Sequence, residues 1–250
     1  MSPFEAVVIM AAGLAAGAIN AIVGSGSLIT FPLLLAFGYP PLVANVSNTV
    51  GLVPGAISGA VGYRRELVGQ RGRAIRLGSA AALGGLTGGL LLLALPASAF
   101  GRIVPWLILF ACLLMALQPR LSRMMATRRH AGAEHPLTLM AGVFLTGIYG
   151  GYFGAAQGVI LIALLAIFLT DDLQRLNGLK NVLAAVINGV AAVLFIFLAP
   201  VDHSVVLLLA IGSIVGGQLG AYVGRRLPAG VFRVAVISIG TLVALRLLAG

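Results

Sequence analysis

The chain alternates long apolar segments with short polar connections. A helix needs about 20 apolar residues to cross the hydrocarbon core of a bilayer. Ten apolar segments are present, and eight of them are long enough to cross. The second and the seventh, 27–37 and 158–169, are too short to cross upright at a rise of about 1.5 Å per residue. The pattern predicts an all-α polytopic membrane protein with segments at 4–23, 27–37, 43–63, 74–95, 100–118, 137–153, 158–169, 178–198, 204–224 and 230–249.

Each short segment follows a break that begins with a glycine after an apolar pair. Two breaks at corresponding places in the two halves of a chain are typical of a transporter binding site. The alternative is that the glycines only let neighbouring helices pack closely. The candidate residues in the two breaks are Gly24, Ser25, Gly26 and Ser27 in the first half, and Gly154, Ala155, Ala156 and Gln157 in the second.

A helix that restarts inside a membrane has unpaired backbone N–H groups and the positive end of its dipole at its first turn. Such a terminus favours an anion. Ser25 and Ser27 are residue types that cap helix N-termini, so we expect them to cap a helix over 28–37. The breaks therefore predict an anion site.

The segments divide into two repeats, each with one interrupted segment followed by three full ones. We expect a first repeat at 1–118, a basic cytoplasmic linker at 119–136 and a second repeat at 137–250. If each interrupted segment turns back, as a re-entrant hairpin or as two tilted crossings, all three arginine-rich connections face the cytoplasm, as basic loops usually do. The halves are then inverted repeats. The alternative is eight simple crossings, which puts the arginines near 225–233 outside.

Composition supports the membrane assignment. The chain is 60% hydrophobic and 9% charged, with a net charge of +10 and a mean hydropathy of +1.10. The positive residues lie in connections, where they set orientation, so no nucleic acid partner is expected. Residues 1–6 lack the basic region of a signal peptide, and we expect none to be cleaved. The single cysteine, Cys112, lies in an apolar segment and is assigned to packing.

The acidic residues argue against a cation as the main substrate. All six lie at segment ends or in connections, whereas cation carriers usually place carboxylates within the membrane. We find no metal-ligand spacing, no phosphate-binding glycine-lysine motif and no catalytic constellation. The chain is therefore predicted to be a transporter without a cofactor or metal, and not an enzyme. Transport would be driven by a gradient or occur by facilitated diffusion.

Polar residues cluster near the starts of two later segments. Lys180 is the only lysine in the chain. Within the set that it forms with Asn177, Asn181 and Asn188, the spacings of three, four and seven to eight positions allow one shared helix face. Together with two helix N-termini, these groups would form a cradle for a small oxyanion. Alternatively, Lys180 extends to the membrane interface and the asparagines only join helices. The candidates are Asn45, Asn48 and Thr49 in the first half, and Asn177, Lys180 and Asn181 in the second.

The sequence resembles the TauE/SafE sulfite exporter family over nearly its whole length. The resemblance lies in the stretches IVGSGSLITFPLL, VANVSNTVG, GAISGAVGYRREL and LNGLKNVL. It implies a multi-pass transporter of the bacterial or archaeal inner membrane whose substrates are sulfur-containing anions such as sulfite, thiosulfate and organosulfonates. The first break reads GSGS where the family is often richer in glycine, and the second break lacks a proline ten residues on.

We therefore expect a secondary transporter for a small sulfur-containing anion, with the lipid bilayer as its surroundings and a homodimer as one possible assembly. Two other hypotheses stay open. An anion channel would give flux without counterflow, and a membrane accessory subunit would not transport at all.

Overall fold

The computed structural model describes residues 1–127, 136–223 and 229–249, some of them near 121–127 and 229–236 by their backbone alone. The described residues form ten α-helices, which confirms the predicted all-α class. Each helix contains or closely matches a predicted apolar segment, and α5 extends furthest beyond its own. The helices are α1 (Pro3–Ile22), α2 (Ser27–Ala36), α3 (Pro41–Gly62), α4 (Arg71–Ala94), α5 (Ala97–Thr127), α6 (Pro136–Tyr152), α7 (Gln157–Phe168), α8 (Leu173–Leu198), α9 (His203–Val223) and α10 (Ala229–Ala249).

Five helices are long and apolar enough to cross a membrane, by length and composition among the described residues. They are α1, α4, α5, α8 and α9. Helix α3 is 22 residues long, but its polar residues lower its hydropathy. Those residues, Asn45, Ser47, Asn48 and Thr49, are all buried. The chain is therefore a multi-pass membrane protein whose α3 carries polar groups into the protein interior.

Helices of the first half pack mainly on helices of the second. Helix α1 lies against α9, and α6 lies against α4. Helix α3 packs on α8 and α9, and α8 packs on α3 and α4. The short helices α2 and α7 contact mainly their neighbours in the same half, and across the halves α2 contacts α10 and α7 contacts α5. When α1–α5 are exchanged with α6–α10, these contacts map onto one another.

Small residues allow the closest of these crossings. A Cβ atom on Gly147 of α6 would lie 2.9 Å from the Cα of Gly84 in α4, which is closer than carbon atoms pack. The same holds between α1 and α9, where a Cβ on Gly13 would lie 2.9 Å from the carbonyl oxygen of Leu209. Glycines at these crossings thus serve helix packing, as small residues often do in membranes.

Two sets of contacts involve connections between helices, and they lie toward opposite ends of α3. At one end, Asp171 in the α7–α8 connection pairs with Arg73 of α4 and with Arg175 of α8. The Gln70 side chain, just before α4, donates to the Arg175 carbonyl at 3.2 Å. Near the other end, the Asp202 amide donates to the Ser47 hydroxyl at 2.9 Å. The α3–α4 and α7–α8 connections therefore lie together.

Helix α5 continues to Thr127, so the first part of the predicted 119–136 linker is helical. An apolar pattern ends where a helix leaves the membrane, whereas the helix itself can continue into water. The rest of the linker, 128–135, and the arginines at 225–226 lie outside the described residues.

The Asp171 cluster predicts a pH dependence of stability. Burial would raise the pKa of Asp171, but hydrogen bonds and charge from Arg73 and Arg175 lower it below its ordinary value. A depressed folded-state pKa gives stability that is present above the unfolded value, about 3.9 for aspartate, and is lost as pH falls through the folded value. We expect Asp171→Asn to cost about 1 kcal/mol at pH 7 and to flatten the stability profile below pH 4. Urea unfolding in detergent between pH 3 and 7 measures both effects, and equal slopes for both proteins would contradict the assignment.

Candidate functional site at the helix breaks

The two breaks have related backbone geometry. Helix α1 ends at Ile22 and α2 begins at Ser27, with Gly24 between them at a φ of +86°. Helix α6 ends at Tyr152 and α7 begins at Gln157, with Gly154 at a φ of +77°. These left-handed values favour glycine. Ala156 also has a positive φ of 59°, which costs energy for a residue with a side chain and is typical of functional sites.

The breaks of the two halves contact each other directly. The Gly158 amide at the start of α7 donates to the Gly24 carbonyl in the first break, with an N–O distance of 3.1 Å. The backbones are so close that a Cβ on either glycine would overlap the Cα of the other. Both interrupted helices therefore restart at one point between the halves.

The predicted serine caps of α2 are wrong. Gly26, which has no side chain, occupies the N-cap position. The Asn20 side chain of α1 reaches across the break instead, and its Oδ1 accepts from the Gly26 amide at 2.7 Å. The Leu28 and Ile29 amides, from which such a cap would accept, donate to the Ser25 and Gly26 carbonyls instead. The Ser25 hydroxyl is buried and has no partner within the described part of the chain.

Several amide N–H groups at the breaks point to no acceptor. No hydrogen bond among the described residues uses the amides of Ser25, Ser27, Ala155 or Ala156. Ser25, Ala155 and Ala156 are buried. Buried backbone donors without a partner are rare in proteins, and each costs free energy until something accepts from it. These amides and the Ser25 hydroxyl are therefore donors suited to an anion.

Lys180 lies at the end of α1, fully buried. Its Nζ donates to the Asn20 and Ala21 carbonyls, both at 3.1 Å. Asn181 donates to the same Ala21 carbonyl at 3.1 Å. The alternative in which Lys180 extends to the interface is excluded by this burial. A cation is favourable at a helix C-terminus. Lys180 is linked to the first break because Asn20, whose carbonyl accepts from it, also binds the Gly26 amide of the break.

The first half provides a corresponding contact to the second break. Asn45 of α3 donates to the carbonyl of Tyr152, the last residue of α6, at 3.1 Å. Each half thus caps the interrupted helix of the other. Asn48 makes no such contact across the halves, because its Oδ1 accepts from the Thr30 hydroxyl within its own half. Inter-helix hydrogen bonding is therefore one established role of Asn45, Asn48 and Asn181.

Other predicted residues surround the breaks. Gln157 donates through Nε2 to Asn188 of α8 at 2.8 Å, and its Oε1 is buried without a partner in the described chain. Thr49 and Asn177 are buried, but no hydrogen bond joins either of them to a break. The Tyr149 hydroxyl donates to the Ala155 carbonyl at 2.6 Å and fixes the second break from within α6.

Comparison with known proteins identifies the family. The sequence model of the sulfite exporter TauE/SafE family matches residues 9–247. The chain belongs to this family. It is 28% identical to the probable membrane transporter protein YfcA of Escherichia coli K12 over 222 residues, which cover 88% of this chain and 81% of that protein.

Two further relatives of this TauE/SafE chain carry similar names. A probable membrane transporter protein of Haemophilus influenzae is 29% identical, covering 86% of this chain and 83% of its own length. The probable membrane transporter protein ORF9 of a Sinorhizobium species is 28% identical, covering 94% and 88%. No solved structure matches the chain. The predictions of a transporter and of a protein that is not an enzyme are confirmed.

Residues that the sequence analysis did not assign to the site also build it. The Asn20 side chain accepts from the Gly26 amide at the start of α2, and the Asn20 carbonyl accepts from Lys180. It is the only amide side chain in α1, and this isolated polar residue just before the break was an available signal. Asn188 shares a helix face with Lys180 in the sequence, but its contact with Gln157 depends on how α7 and α8 pack.

Proposed function

We propose that this chain is a secondary transporter that carries a small sulfur-containing anion across the bacterial cytoplasmic membrane. The anion would lie where the two interrupted helices meet, between Ser25–Ser27 and Ala155–Gln157. Asn48 and Lys180 would complete its surroundings. The membrane transporter role follows from the family. The chemical class of the anion, the position of its binding site and the choice of the cytoplasmic membrane are part of this proposal.

One observation supports the site above all others. The breaks leave the amides of Ser25, Ser27, Ala155 and Ala156 without acceptors, together with the buried hydroxyl of Ser25. The four amides can only donate, and the hydroxyl can donate as well as accept, so an oxyanion with three or four oxygens could accept from several at once. A metal cation would need oxygen ligands instead. The donor set therefore favours an anion.

The contact between two connections supports the inverted-repeat topology. Asp171 binds Arg73 and Arg175, so the α3–α4 and α7–α8 connections lie at the same end. If α6 and α7 together crossed once, three crossings would separate these connections and leave them on opposite sides. If α6 and α7 turn back, either two crossings (α4 and α5) or four separate the connections, and an even number leaves both on one side. Turning back, as a hairpin or as two tilted crossings, fits the contact, and the basic α3–α4 connection would then be cytoplasmic.

Alternating access would occur by movement of one half relative to the other. The halves share the Gly24–Gly158 hydrogen bond and cap each other's interrupted helices through Asn45 and Lys180. Rocking of inverted repeats about a site at their interface is the usual transporter mechanism. Counterflow of labelled sulfite or thiosulfate in proteoliposomes tests it, because a carrier exchanges substrate and a channel does not.

Ser25→Ala tests the site with little effect on the fold. Its hydroxyl has no partner among the described residues, so its removal should leave the free energy of unfolding within about 0.5 kcal/mol. We expect the Kd for the transported anion to rise about tenfold, the equivalent of one hydrogen bond to a charged group. Isothermal titration calorimetry and urea unfolding in the same detergent measure the two quantities.

Ser58→Ala is the matched control. The Ser58 hydroxyl donates to the Ile214 carbonyl of α9 at 2.7 Å and not to either break. This change should cost about 1 kcal/mol of stability and leave the Kd unchanged. An unchanged Kd in Ser25→Ala, or equal changes in both variants, would contradict the role of Ser25.

A further inference from the structure

A groove runs along the outer surface between α3 and α8. Its volume is about 430 Å³, and it is lined by Ile57, Ala60, Val61, Arg64, Leu67, Val182, Ala185 and Val186. The α3 members recur every three to four residues, so they form one face of the helix. From Ile57 to Arg64 this face is about 10 Å long at the rise of a helix. Ala60 and Ala185 leave the space between the helices open.

Arg64 provides the only charged side chain of the groove. It lies just beyond the end of α3 and is exposed. No hydrogen bond or ion pair within the described residues uses its guanidinium, whereas Arg73 and Arg175 both bind Asp171. The groove therefore combines an apolar channel with a cation at its mouth.

We infer that this groove binds one anionic phospholipid, with the phosphate on Arg64 and the first part of an acyl chain between α3 and α8. Arginine binds phosphate through two parallel N–H groups. Basic pockets at the ends of membrane helices are known to hold anionic headgroups. Ile57 and Val61 are about half exposed and face the side where acyl chains would lie.

Charge complementarity favours a lipid over a second copy of the chain. A partner surface on this groove would need an acidic residue opposite Arg64. Among the described acidic residues, Asp171 is already paired, Glu5 and Asp172 cap helices, and Asp202 lies with Ser47 toward the other end of α3. Glu66 lies two positions from Arg64 in the same connection and has a partner of its own. Phospholipid surrounds a membrane protein from every side, and its anionic members provide a phosphate at the depth where a crossing helix ends.

The test is native mass spectrometry of the delipidated protein, titrated with phosphatidylglycerol or phosphatidylcholine of identical acyl chains. We expect the first phosphatidylglycerol to bind about fivefold more tightly than phosphatidylcholine, as for one arginine near the surface. Arg64→Gln should abolish this preference. Ala185→Leu, which fills the groove without changing charge, should weaken the first binding event for both lipids.

Arg65→Gln is the matched control, because Arg65 is the adjacent exposed arginine and does not line the groove. It should keep the preference. Equal loss in Arg64→Gln and Arg65→Gln would overturn the inference in favour of general surface charge. No preference in the unchanged protein, competition by inorganic phosphate alone, or a dimer that Ala185→Leu dissociates would also overturn it. None of these outcomes depends on the transported anion.

Discussion

Gly24→Ala is expected to destabilise the folded protein by about 2–5 kcal/mol. A residue with a side chain costs about 1–2 kcal/mol in the left-handed region, and Gly24 has a φ of +86°. The new Cβ would also overlap the Cα of Gly158, and forced overpacking costs about 1–3 kcal/mol more. Urea unfolding in detergent measures the sum. Transport should be lost as well, because the change separates the two breaks.

Substitutions at two other glycines distinguish the conformational cost from the steric overlap. Gly38 has a φ of +85° but no atom within 4 Å of an added Cβ, so Gly38→Ala should show the conformational cost alone. Gly158→Ala has no positive φ but meets Gly24, so it should show the overlap alone. If Gly24→Ala costs no more than Gly38→Ala, the two breaks do not depend on close contact.

Lys180→Met is expected to reduce transport at sub-saturating substrate at least tenfold. An ammonium has three N–H donors, and two of them bind the Asn20 and Ala21 carbonyls. The third donor and the positive charge would favour an anion at the adjacent break, and a hydrogen bond to a charged group contributes about 1.5–3 kcal/mol. Methionine keeps most of the volume. Two carbonyls lose a donor, so about 1–3 kcal/mol of stability should be lost as well.

Asn181→Leu is the matched control for Lys180. Asn181 donates to the same Ala21 carbonyl but has no charge. Both variants remove a bond to the end of α1, and only Lys180→Met removes the cation. Initial rates of labelled anion uptake should therefore fall much further in Lys180→Met. Equal rates in the two variants would mean that Lys180 serves only to hold α1.

The ten helices and both breaks could be predicted because they depend on local chemistry. Apolar length determines which segments are helical in a membrane, and Gly24 and Gly154 mark conformations that other residues adopt poorly. The burial of Lys180 also agrees with the expectation that a polar residue within an apolar segment has a role inside the protein. These properties belong to single segments and do not require knowledge of how segments pack.

The details of the site depend on packing and could not be predicted in the same way. The caps at Ser25 and Ser27 were wrong because Gly26 is the N-cap residue and the Leu28 and Ile29 amides donate to backbone carbonyls, while Asn20 of the preceding helix binds the Gly26 amide. The Gly24–Gly158 contact and the Asn45–Tyr152 bond join residues more than 100 positions apart. A pattern within one segment contains no information on which distant carbonyl an amide will meet.

The most direct test of the anion site is a thermal-shift screen of the detergent-purified protein. The ligands are sulfite, thiosulfate, sulfoacetate, taurine, sulfate, chloride and divalent cations. A ligand that binds only the folded state stabilises it in proportion to the logarithm of its concentration over its Kd. We expect selective stabilisation by a sulfur oxyanion, which Ser25→Ala and Lys180→Met reduce and Ser58→Ala retains. Stabilisation by a cation alone, or by an anion equally in all variants, would contradict an anion site at the breaks.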